Sequence, residues 1–247
     1  FERKILAQFG GGCHQRFGAT AISHEHLGDL KIIRGLDPQS RQLDEFIWNV
    51  PDRISRKVSW NGRQFRARAL EENNAAKDLG LAGETVFIAH SRALGDNRIS
   101  ETARIWTSGT KSWFAMAARG VWVEGSAEEL GYEFIQSLMH EPFLNLSKTP
   151  VVLTHETAVS DWEGLKVVPT YRVESLKYNT EAIEALSRAD HVFWASASQY
   201  DALKKHLKNG AVQACGAGKT AVRRKRAAEN FKIFPSSREW EKWIKED

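Results

Sequence analysis

Cysteine is nearly absent from this sequence, and several classes of protein are excluded by what it lacks. Its 247 residues include two cysteines, Cys13 and Cys215, which are too few and too far apart for a disulfide framework. No apolar run approaches the roughly 20 residues that a membrane-spanning helix requires. Neither HExxH nor G-x-S-x-G occurs, so no zinc protease or serine hydrolase is predicted. We therefore expect a protein of a reducing compartment, the cytoplasm, without a metal centre.

An excess of one charge is also missing. The formal net charge is +4, and acidic residues are interspersed with basic ones, so we expect neither nucleic acid nor a membrane as partner. The opening "FERKILAQF" predicts an amphipathic helix rather than the apolar core of a signal peptide. Because the first residue is Phe, we expect a piece of a longer polypeptide.

The first third of the chain predicts a small α+β domain. Apolar and polar residues alternate over 19–37 on either side of a polar turn, as in a β-hairpin. The segments "QLDEFIWNV" and "RKVSWNGRQF" continue this pattern, with a tight turn predicted at the Asn-Gly pair 61–62. Helical spacing over 67–81, ending at Gly80, predicts a helix that covers the short antiparallel sheet.

From Gly83 onward the pattern changes to alternating strands and helices. Short apolar runs lead into helix-like segments, which predicts an α/β fold with a mostly parallel sheet. One order of elements occurs twice: an apolar strand, small hydroxyl residues, a helix, a second strand and a glycine. We therefore predict two similar lobes. The predicted strands are 85–91, 103–108, 120–125, 150–155, 165–173, 191–196 and 211–216.

The glycine-rich "GAGKT" at 216–220 suggests a phosphate-binding loop, but the pattern is incomplete. A Walker A loop needs glycine five positions before Gly218, and that position is Gln213. An NTPase is therefore not predicted. A strand, a glycine-rich turn and a helix remain, and backbone N–H groups at such a helix start can hold an anion.

Three other features have plain structural explanations. "RRKR" at 223–226 is typical of a solvated helix face, because no aromatic residue interleaves with it. "HEH" at 24–26 lacks further metal ligands nearby and is typical of surface histidines. Several serines follow predicted strands, where they either cap helices or contact a ligand at the carboxyl edge of the sheet. These serines are Ser91, Ser108, Ser196 and Ser198.

Near the amino end, one segment sets a cysteine after three glycines. The glycines either form a turn beside a small buried Cys13, or clear space for a bulky group on its sulfur. The segment "ERKILAQFGGGCHQRFGATAI" and the later "GDLKIIRGL" resemble hydroxymethylbilane synthase, also called porphobilinogen deaminase, where its third domain begins. "HQRF" departs from the more apolar run of that family. The matching positions are Glu2, Arg3, Leu6, Gly11, Gly12, Cys13, Gly18 and Ala19.

This resemblance implies a covalent cofactor. In the family, the cysteine holds a dipyrromethane through a thioether, so the role carries over to Cys13, with Gly11 and Gly12 beside it. The first two domains of the family, with the catalytic aspartate, are missing from this chain. Deaminase activity is therefore expected only together with those amino-terminal domains as partners.

Residues 83–247 resemble a second family, uroporphyrinogen-III synthase. "IWTSGTKSW" (105–113) and "FWASASQYDAL" (193–203) are similar to its two hydroxyl-rich turns, and "GKTA" (218–221) is similar to its G-x-x-T-A turn. Tyr171 in "VVPTYRV" matches a family tyrosine and is the implied catalytic residue; the alternative is a structural tyrosine at a hinge between the two lobes. The implied substrate-binding residues are Ser108, Thr110, Ser196, Ser198, Lys219 and Thr220.

Together the two resemblances imply a fragment of a bifunctional enzyme of tetrapyrrole synthesis. Residues 1–82 would be the deaminase-like domain, and residues 83–247 would close linear hydroxymethylbilane to uroporphyrinogen III without a cofactor. One alternative is a dipyrromethane-carrying domain with a non-catalytic α/β partner. Another is an anion- or nucleotide-binding α/β protein.

Overall fold

The computed structural model places two compact units in the chain. Unit 1 comprises Phe1–Asn61 with Arg188–Asp247, and unit 2 comprises Gly62–Ser187. The residues that the structure describes are 2–8, 16–52, 58–61, 70–72, 77–147, 149–173, 178–226 and 229–245.

The described residues form short strands and helices, which alternate mainly after β6. Strands and helices are numbered here in separate series along the chain. The strands are β1 Arg16–His24, β2 Gly28–Leu36, β3 Gln42–Ile47, β4 Ser59–Trp60, β5 Leu70–Glu72, β6 Thr85–Ile88, β7 Arg104–Thr107, β8 Gly125–Ser126, β9 Val151–His155, β10 Lys166–Val173, β11 His191–Trp194, β12 Val212–Gly216 and β13 Lys232–Phe234. The helices are α1 Glu2–Gln8, α2 Thr110–Ala117, α3 Tyr132–Met139, α4 Thr180–Arg188, α5 Ala197–Leu203, α6 Lys219–Arg226 and α7 Ser237–Lys245. Short 3₁₀ helices cover Ser91–Ala93, Pro142–Leu144, Glu156–Asp161 and Lys204–His206.

Unit 1 begins with an antiparallel sheet in the order β1-β2-β3. β1 and β2 form a hairpin in which His24 pairs with Gly28, and the positive φ of Gly28 (66°) suits the tight connection. The side chains of Ile5 on α1, Phe17 and Ile33 form one apolar cluster. The predicted hairpin and third strand are confirmed, and the helix that covers this sheet is α1.

A parallel sheet in the order β13-β12-β11-β4 completes unit 1. Its core is aromatic: the ring centroids of Phe193 and Trp240 lie 5.4 Å apart, and those of Phe234 and Trp243 lie 5.2 Å apart. Trp243 Nε1 also donates to Pro51 O at 3.0 Å. Tilted aromatic pairs of this kind each contribute about 0.5–1.5 kcal/mol beyond the burial of their area. These contacts hold α7 against the strands.

Unit 2 contains a six-stranded sheet in the order β5-β10-β9-β6-β7-β8. β5 pairs antiparallel with β10, and the other neighbours are parallel. Alternate residues of the central strand β6 enter two separate cores: Val86 and Ile88 pack in one, and Phe87 packs in the other. A strand that is buried on both faces explains the continuous apolar run in the sequence. The predicted α/β class with mostly parallel strands is confirmed.

Two predicted elements are wrong. The helix predicted over 67–81 lies partly outside the described residues, but 70–72 form the edge strand β5, and Asp78 forms an isolated bridge with Arg98. Pairing with β10 therefore overrides the local helical spacing. The predicted strand 120–125 shrinks to β8, which pairs with Trp106 and Thr107 at the end of β7, and Gly125 packs closely on the indole of Trp106. A Cβ on Gly125 would lie 2.6 Å from Trp106 Cζ3.

The short strand β4 also departs from the expected arrangement. It was predicted to continue the antiparallel meander, but Ser59 and Trp60 pair in parallel with β11. This pairing joins the early segment to the carboxyl-terminal part of the chain, so neither compact unit ends at residue 82 or 83. The family-like division 1–82 and 83–247 stays a prediction. The predicted turn at 61–62 lies partly outside the described residues.

No helix among the described residues has the length and apolar character needed to cross a membrane.

Candidate functional site

The turn between β11 and α5 places two of the predicted substrate-binding residues in unit 1. Ser196 is the N-cap of α5: its Oγ accepts from Gln199 N at 3.2 Å and lies 3.1 Å from Ser198 Oγ. The Gln199 side chain, 1% exposed, accepts from Ala195 N at 2.9 Å through Oε1. The Ser-x-x-Gln spacing therefore works as a variant of the capping box. Ser196 acts as a cap, and Ser198 is exposed.

The neighbouring turn between β12 and α6 carries two more of the predicted substrate-binding residues, Lys219 and Thr220. Trp194 and Cys215 are register partners on adjacent parallel strands, so the turns that follow them lie at the same sheet edge. Ala217 N donates to Phe234 O at 3.0 Å, which fixes this turn against β13. Lys219 and Thr220, both partly buried, begin α6. The structure thus brings Ser196, Ser198, Lys219 and Thr220 to one edge of the parallel sheet.

Behind this edge, a buried arginine links α5 and α6. Arg224 is 5% exposed, and its Nη1 donates to Glu229 Oε2 at 2.9 Å and to Asp201 Oδ1 at 3.3 Å. Its Cζ lies 4.5 Å from the ring centroid of Tyr200, whose hydroxyl donates to Glu229 Oε1 at 2.8 Å. Burial, and then the bond to Glu229, raise the pKa of Tyr200. The network is structural, because its members bond to one another.

Three residues of the basic run at 223–226 form such ion pairs. Arg223 lies 3.5 Å from Asp201, and Lys225 pairs with Glu25 on the β1–β2 turn. With Arg224 bound as above, three consecutive cations are paired with carboxylates. Arg223 and Lys225 lie on the solvated helix face that the sequence predicted, but the prediction is wrong for Arg224, which is buried because it bonds to Asp201 and Glu229.

Cys215 lies at the end of β12 with no exposed surface. Burial raises the pKa of its thiol to about 12, and the nearby Arg224 lowers it only in part. The side chain therefore stays a neutral thiol at neutral pH and packs as a small apolar group.

In unit 2, the turn between β7 and α2 holds Ser108 and Thr110. Ser108 N donates to Ile88 O at 3.2 Å, and Ser108 O accepts from Glu129 N at 2.8 Å. Gly109 is the N-cap of α2, and a Cβ there would lie 2.7 Å from Glu129 Cγ. The turn is therefore tightly packed by the side chain of Glu129.

Two adjacent glutamates give this turn a negative character. Glu128 and Glu129 both adopt positive φ angles (53° and 66°), which are unusual for residues with a side chain. Glu128 is held by Ser126 Oγ, which donates to its Oε1 at 2.6 Å. The dipole of α2 favours a negative charge at its start, and Glu129 already supplies one. An anionic ligand bound there would meet a like charge.

Tyr171, the predicted catalytic residue, lies in β10 of unit 2 and is 5% exposed. Its ring packs in the core that contains Val86 and Ile88. It also faces His155 on the adjacent parallel strand β9, and the two ring centroids lie 5.5 Å apart. His155 Nδ1 lies 2.8 Å from Thr157 Oγ1, which fixes the imidazole orientation. Both rings lie near the carboxyl ends of their strands.

The histidines of the "HEH" turn are not all at the surface. His24 is buried, and its Nδ1 accepts from His26 N at 3.1 Å. Burial, followed by the nearby His26, lowers the pKa of His24. No group of three or more potential metal ligands occurs in the described part of the chain.

Cys13, Gly11 and Gly12 lie outside the described residues, on the connection between α1 and β1. Their predicted part in holding dipyrromethane stays a prediction.

Sequence reasoning missed three residues around these turns. His155 ends a predicted strand, and that position alone could have drawn attention to it. Gln199 has the capping-box spacing from Ser196. Arg224 carried no local signal, because its partners are Asp201 and Glu229 on other segments.

Comparisons with known proteins add one likeness. No protein-family model and no curated protein matches the sequence. The search of solved structures found the crystal structure of uroporphyrinogen-III synthetase from Helicobacter pylori 26695, with a TM-score of 0.43 and 11% identity. The match covers 73% of this chain and 93% of that chain. A TM-score below 0.5 does not establish a common fold, so this likeness assigns neither fold nor activity.

Proposed function

We propose that this chain closes linear hydroxymethylbilane to uroporphyrinogen III, with inversion of the last pyrrole ring. One observation carries the proposal: a parallel strand that ends in a serine turn and enters a helix occurs in each unit. The turns are β7–Ser108–α2 and β11–Ser196–α5. They are the two segments whose sequences resemble the hydroxyl-rich turns of uroporphyrinogen-III synthase.

The electrostatic character of the unit 1 sheet edge differs from that of the β7–α2 turn in unit 2, so we assign the two places different roles. The substrate carries acetate and propionate groups and is a polyanion. In unit 1, Lys219 and the backbone N–H groups at the start of α6 offer positive potential to carboxylates. In unit 2, Glu129 occupies the start of α2. The unit 1 edge is therefore the proposed main carboxylate-binding surface, and Ser108 and Thr110 offer neutral hydroxyl donors.

The chemistry demands little of any one side chain. The pyrrole nitrogen lone pair expels the hydroxyl of the hydroxymethyl group, which leaves as water once it gains a proton. The resulting cation is attacked by the substituted carbon of the last ring, and the spiro intermediate then opens and recloses with that ring inverted. Without an enzyme the bilane closes uninverted, so the protein must hold the chain folded for the other attack.

Tyr171 is the proposed donor of a hydrogen bond to the departing hydroxyl. Its burial in the unit 2 core limits this role, because only a small part of the side chain meets solvent. We therefore assign it an assisting role, and most of the rate effect to the geometry in which the substrate is held.

We further propose that this activity belongs to a bifunctional polypeptide of tetrapyrrole synthesis in the cytoplasm. The support is the resemblance of residues 2–19 to the cofactor-bearing domain of hydroxymethylbilane synthase. Intact-mass analysis of protein co-expressed with the amino-terminal deaminase domains tests it. A dipyrromethane adduct that is absent from a Cys13→Ser variant is expected, and an unmodified mass would contradict the assignment.

The synthase proposal is tested by an isomer assay. Freshly prepared hydroxymethylbilane is mixed with the chain, and the oxidised porphyrins are separated into types I and III. Predominantly type III product is expected. Type I alone, at the rate seen in buffer, would favour the alternative of a deaminase domain with a non-catalytic α/β partner.

A matched pair of variants locates the anion-binding surface. Lys219→Met should raise the KM for the bilane by about three- to tenfold, since one carboxylate contact is lost. Lys205→Met removes the same charge from an exposed position on the 3₁₀ turn after α5 and should leave KM unchanged. An equal rise in KM for the two variants would mean that the net charge of the protein, and not a contact with Lys219, determines substrate binding.

A further inference from the structure

Two aromatic side chains of unit 2 project into solvent, and three cations on or beside the same helix form no ion pair with the carboxylates that the structure describes. Phe114 on α2 is 69% exposed, and Trp122 in the following loop is 81% exposed. Large aromatic side chains normally bury most of their area, so two exposed ones on a single helix and the loop after it indicate an interaction surface. We group them with Arg92, Lys111 and Arg119, which lie on or beside α2, and call this region the aromatic–basic face.

The backbone explains why these side chains point outward. The inner side of α2 carries Ser112 and Met116, both buried, and Phe114 lies on the opposite side of the helix. Val121 and Val123 pack inward, so Trp122 between them turns out. The hydrogen bond from Val121 N to Met116 O, 3.1 Å, folds the loop back beside the last turn of α2.

The cations of this face have no carboxylate partner among the described residues. Arg92 belongs to the 3₁₀ turn that packs against α2, and Arg119 donates to the carbonyl of Gly95. Arg92, Lys111 and Arg119 form no ion pair with any described carboxylate, in contrast with the paired run at 223–225. Residues 110–122 include no acidic residue, and Asp96 is the one carboxylate among 90–98. Glu129 packs on Gly109 at the amino end of α2, so the positive potential of the face is strongest toward the other end of the helix.

We propose that the aromatic–basic face binds the surface of an anionic phospholipid membrane. Trp and Phe side chains favour the headgroup region of a bilayer, and lysine and arginine beside them attract anionic headgroups. This departs from the expectation of no membrane partner, which rested on the lack of a spanning segment and on net charge. Peripheral binding requires neither a spanning helix nor a high net charge.

A second copy of the chain fits this surface less well. A two-fold contact places the same patch of both copies together, so Arg92, Lys111 and Arg119 would face their own like charges. A membrane with anionic lipid supplies the opposite charge and an apolar layer for the two rings.

Vesicle co-sedimentation tests the proposal. The probes are vesicles of phosphatidylcholine with and without phosphatidylglycerol, at low and high salt. Wild-type protein should bind the anionic vesicles, with binding weakened by salt, and should bind the neutral vesicles at least about tenfold less. Absence of binding to anionic vesicles, or equal binding to both kinds, would overturn it.

Variants assign the binding to this face. Phe114→Ser with Trp122→Ser should weaken partition by about tenfold or more. Phe143→Ser is the matched control, because Phe143 is 76% exposed on a different turn and should leave partition unchanged. Circular dichroism and the melting temperature verify folding. Retained binding in the double variant, or a concentration-dependent dimer that this variant abolishes, would contradict a lipid occupant.

Discussion

His155 and Tyr171 are partners on adjacent parallel strands, and their ring centroids lie 5.5 Å apart. The contact places a histidine beside the tyrosine that the sequence implicates in catalysis. Because Tyr171 also packs in the unit 2 core, the same side chain serves both the fold and the proposed site. The two contributions can be separated by experiment.

Removing the Tyr171 hydroxyl should slow the reaction without abolishing inversion. We expect Tyr171→Phe to lower kcat by less than about 100-fold, the lower range for a general acid, with type III still the main product. Tyr171→Ala should destabilise the fold by about 3 kcal/mol through the cavity that it leaves. The isomer assay measures kcat and the ratio of type III to type I product, and urea unfolding measures the free energy of unfolding. Complete loss of inversion in Tyr171→Phe would make the phenol essential.

Tyr132→Phe serves as the control for a lost phenol. Tyr132 is buried, and its hydroxyl has no hydrogen-bond partner among the described residues. Its removal should leave stability unchanged or raise it by about 1 kcal/mol, because an unsatisfied polar group is removed. The isomer ratio should not change.

Neutralising Glu129 should improve binding of the polyanionic substrate. Glu129→Gln removes a carboxylate that packs on Gly109 at the start of α2, so the KM for hydroxymethylbilane should fall by about threefold. Glu101→Gln makes the same charge change at an exposed position of unit 2 and should leave KM as it is. An unchanged KM in Glu129→Gln would mean that no carboxylate of the substrate approaches this turn.

Arg224 should contribute far more to stability than its neighbour Arg223. Arg224→Leu leaves the carboxylates of Asp201 and Glu229 without their buried partner, and we expect a loss of about 3 kcal/mol in the free energy of unfolding. Arg223→Leu breaks a half-exposed pair and should cost about 0.5 kcal/mol or less. Urea unfolding measures the free energy of unfolding of each variant against the wild type. Equal losses would argue against the buried network.

Acid should destabilise the protein through His24. The pKa of His24 in the folded chain lies below its ordinary value of 6.5, so the unfolded chain takes up the proton first. Its contribution to stability is therefore present above pH 6.5 and is lost as the pH falls below that value. The proton would also displace the hydrogen bond from His26 N to His24 Nδ1.

Unfolding measurements across this pH range test the assignment. The free energy of unfolding should fall more steeply with acid in the wild type than in His24→Gln. His206→Gln removes a partly exposed histidine of the same unit and should keep the wild-type slope. Parallel curves for the wild type and His24→Gln would exclude His24 as the titrating group.

The sequence alone determined most of the strands. Each central parallel strand is buried on both faces and therefore reads as a short apolar run, as in "TVFI" and "HVFW". The β1–β2 hairpin was equally clear, since its alternation and polar turn are local features. Ser196 could be predicted to follow a strand and cap a helix for the same reason.

Only the tertiary structure decided which strands pair and which charges meet. Residues 70–72 became a strand because β10 offers an edge, and β4 joined β11 across more than a hundred residues of chain. Likewise, Glu129 faces Gly109, and Arg224 meets Glu229, through contacts between separate segments. Local spacing encodes burial and turns, whereas pairing depends on surfaces that exist only once the chain has folded.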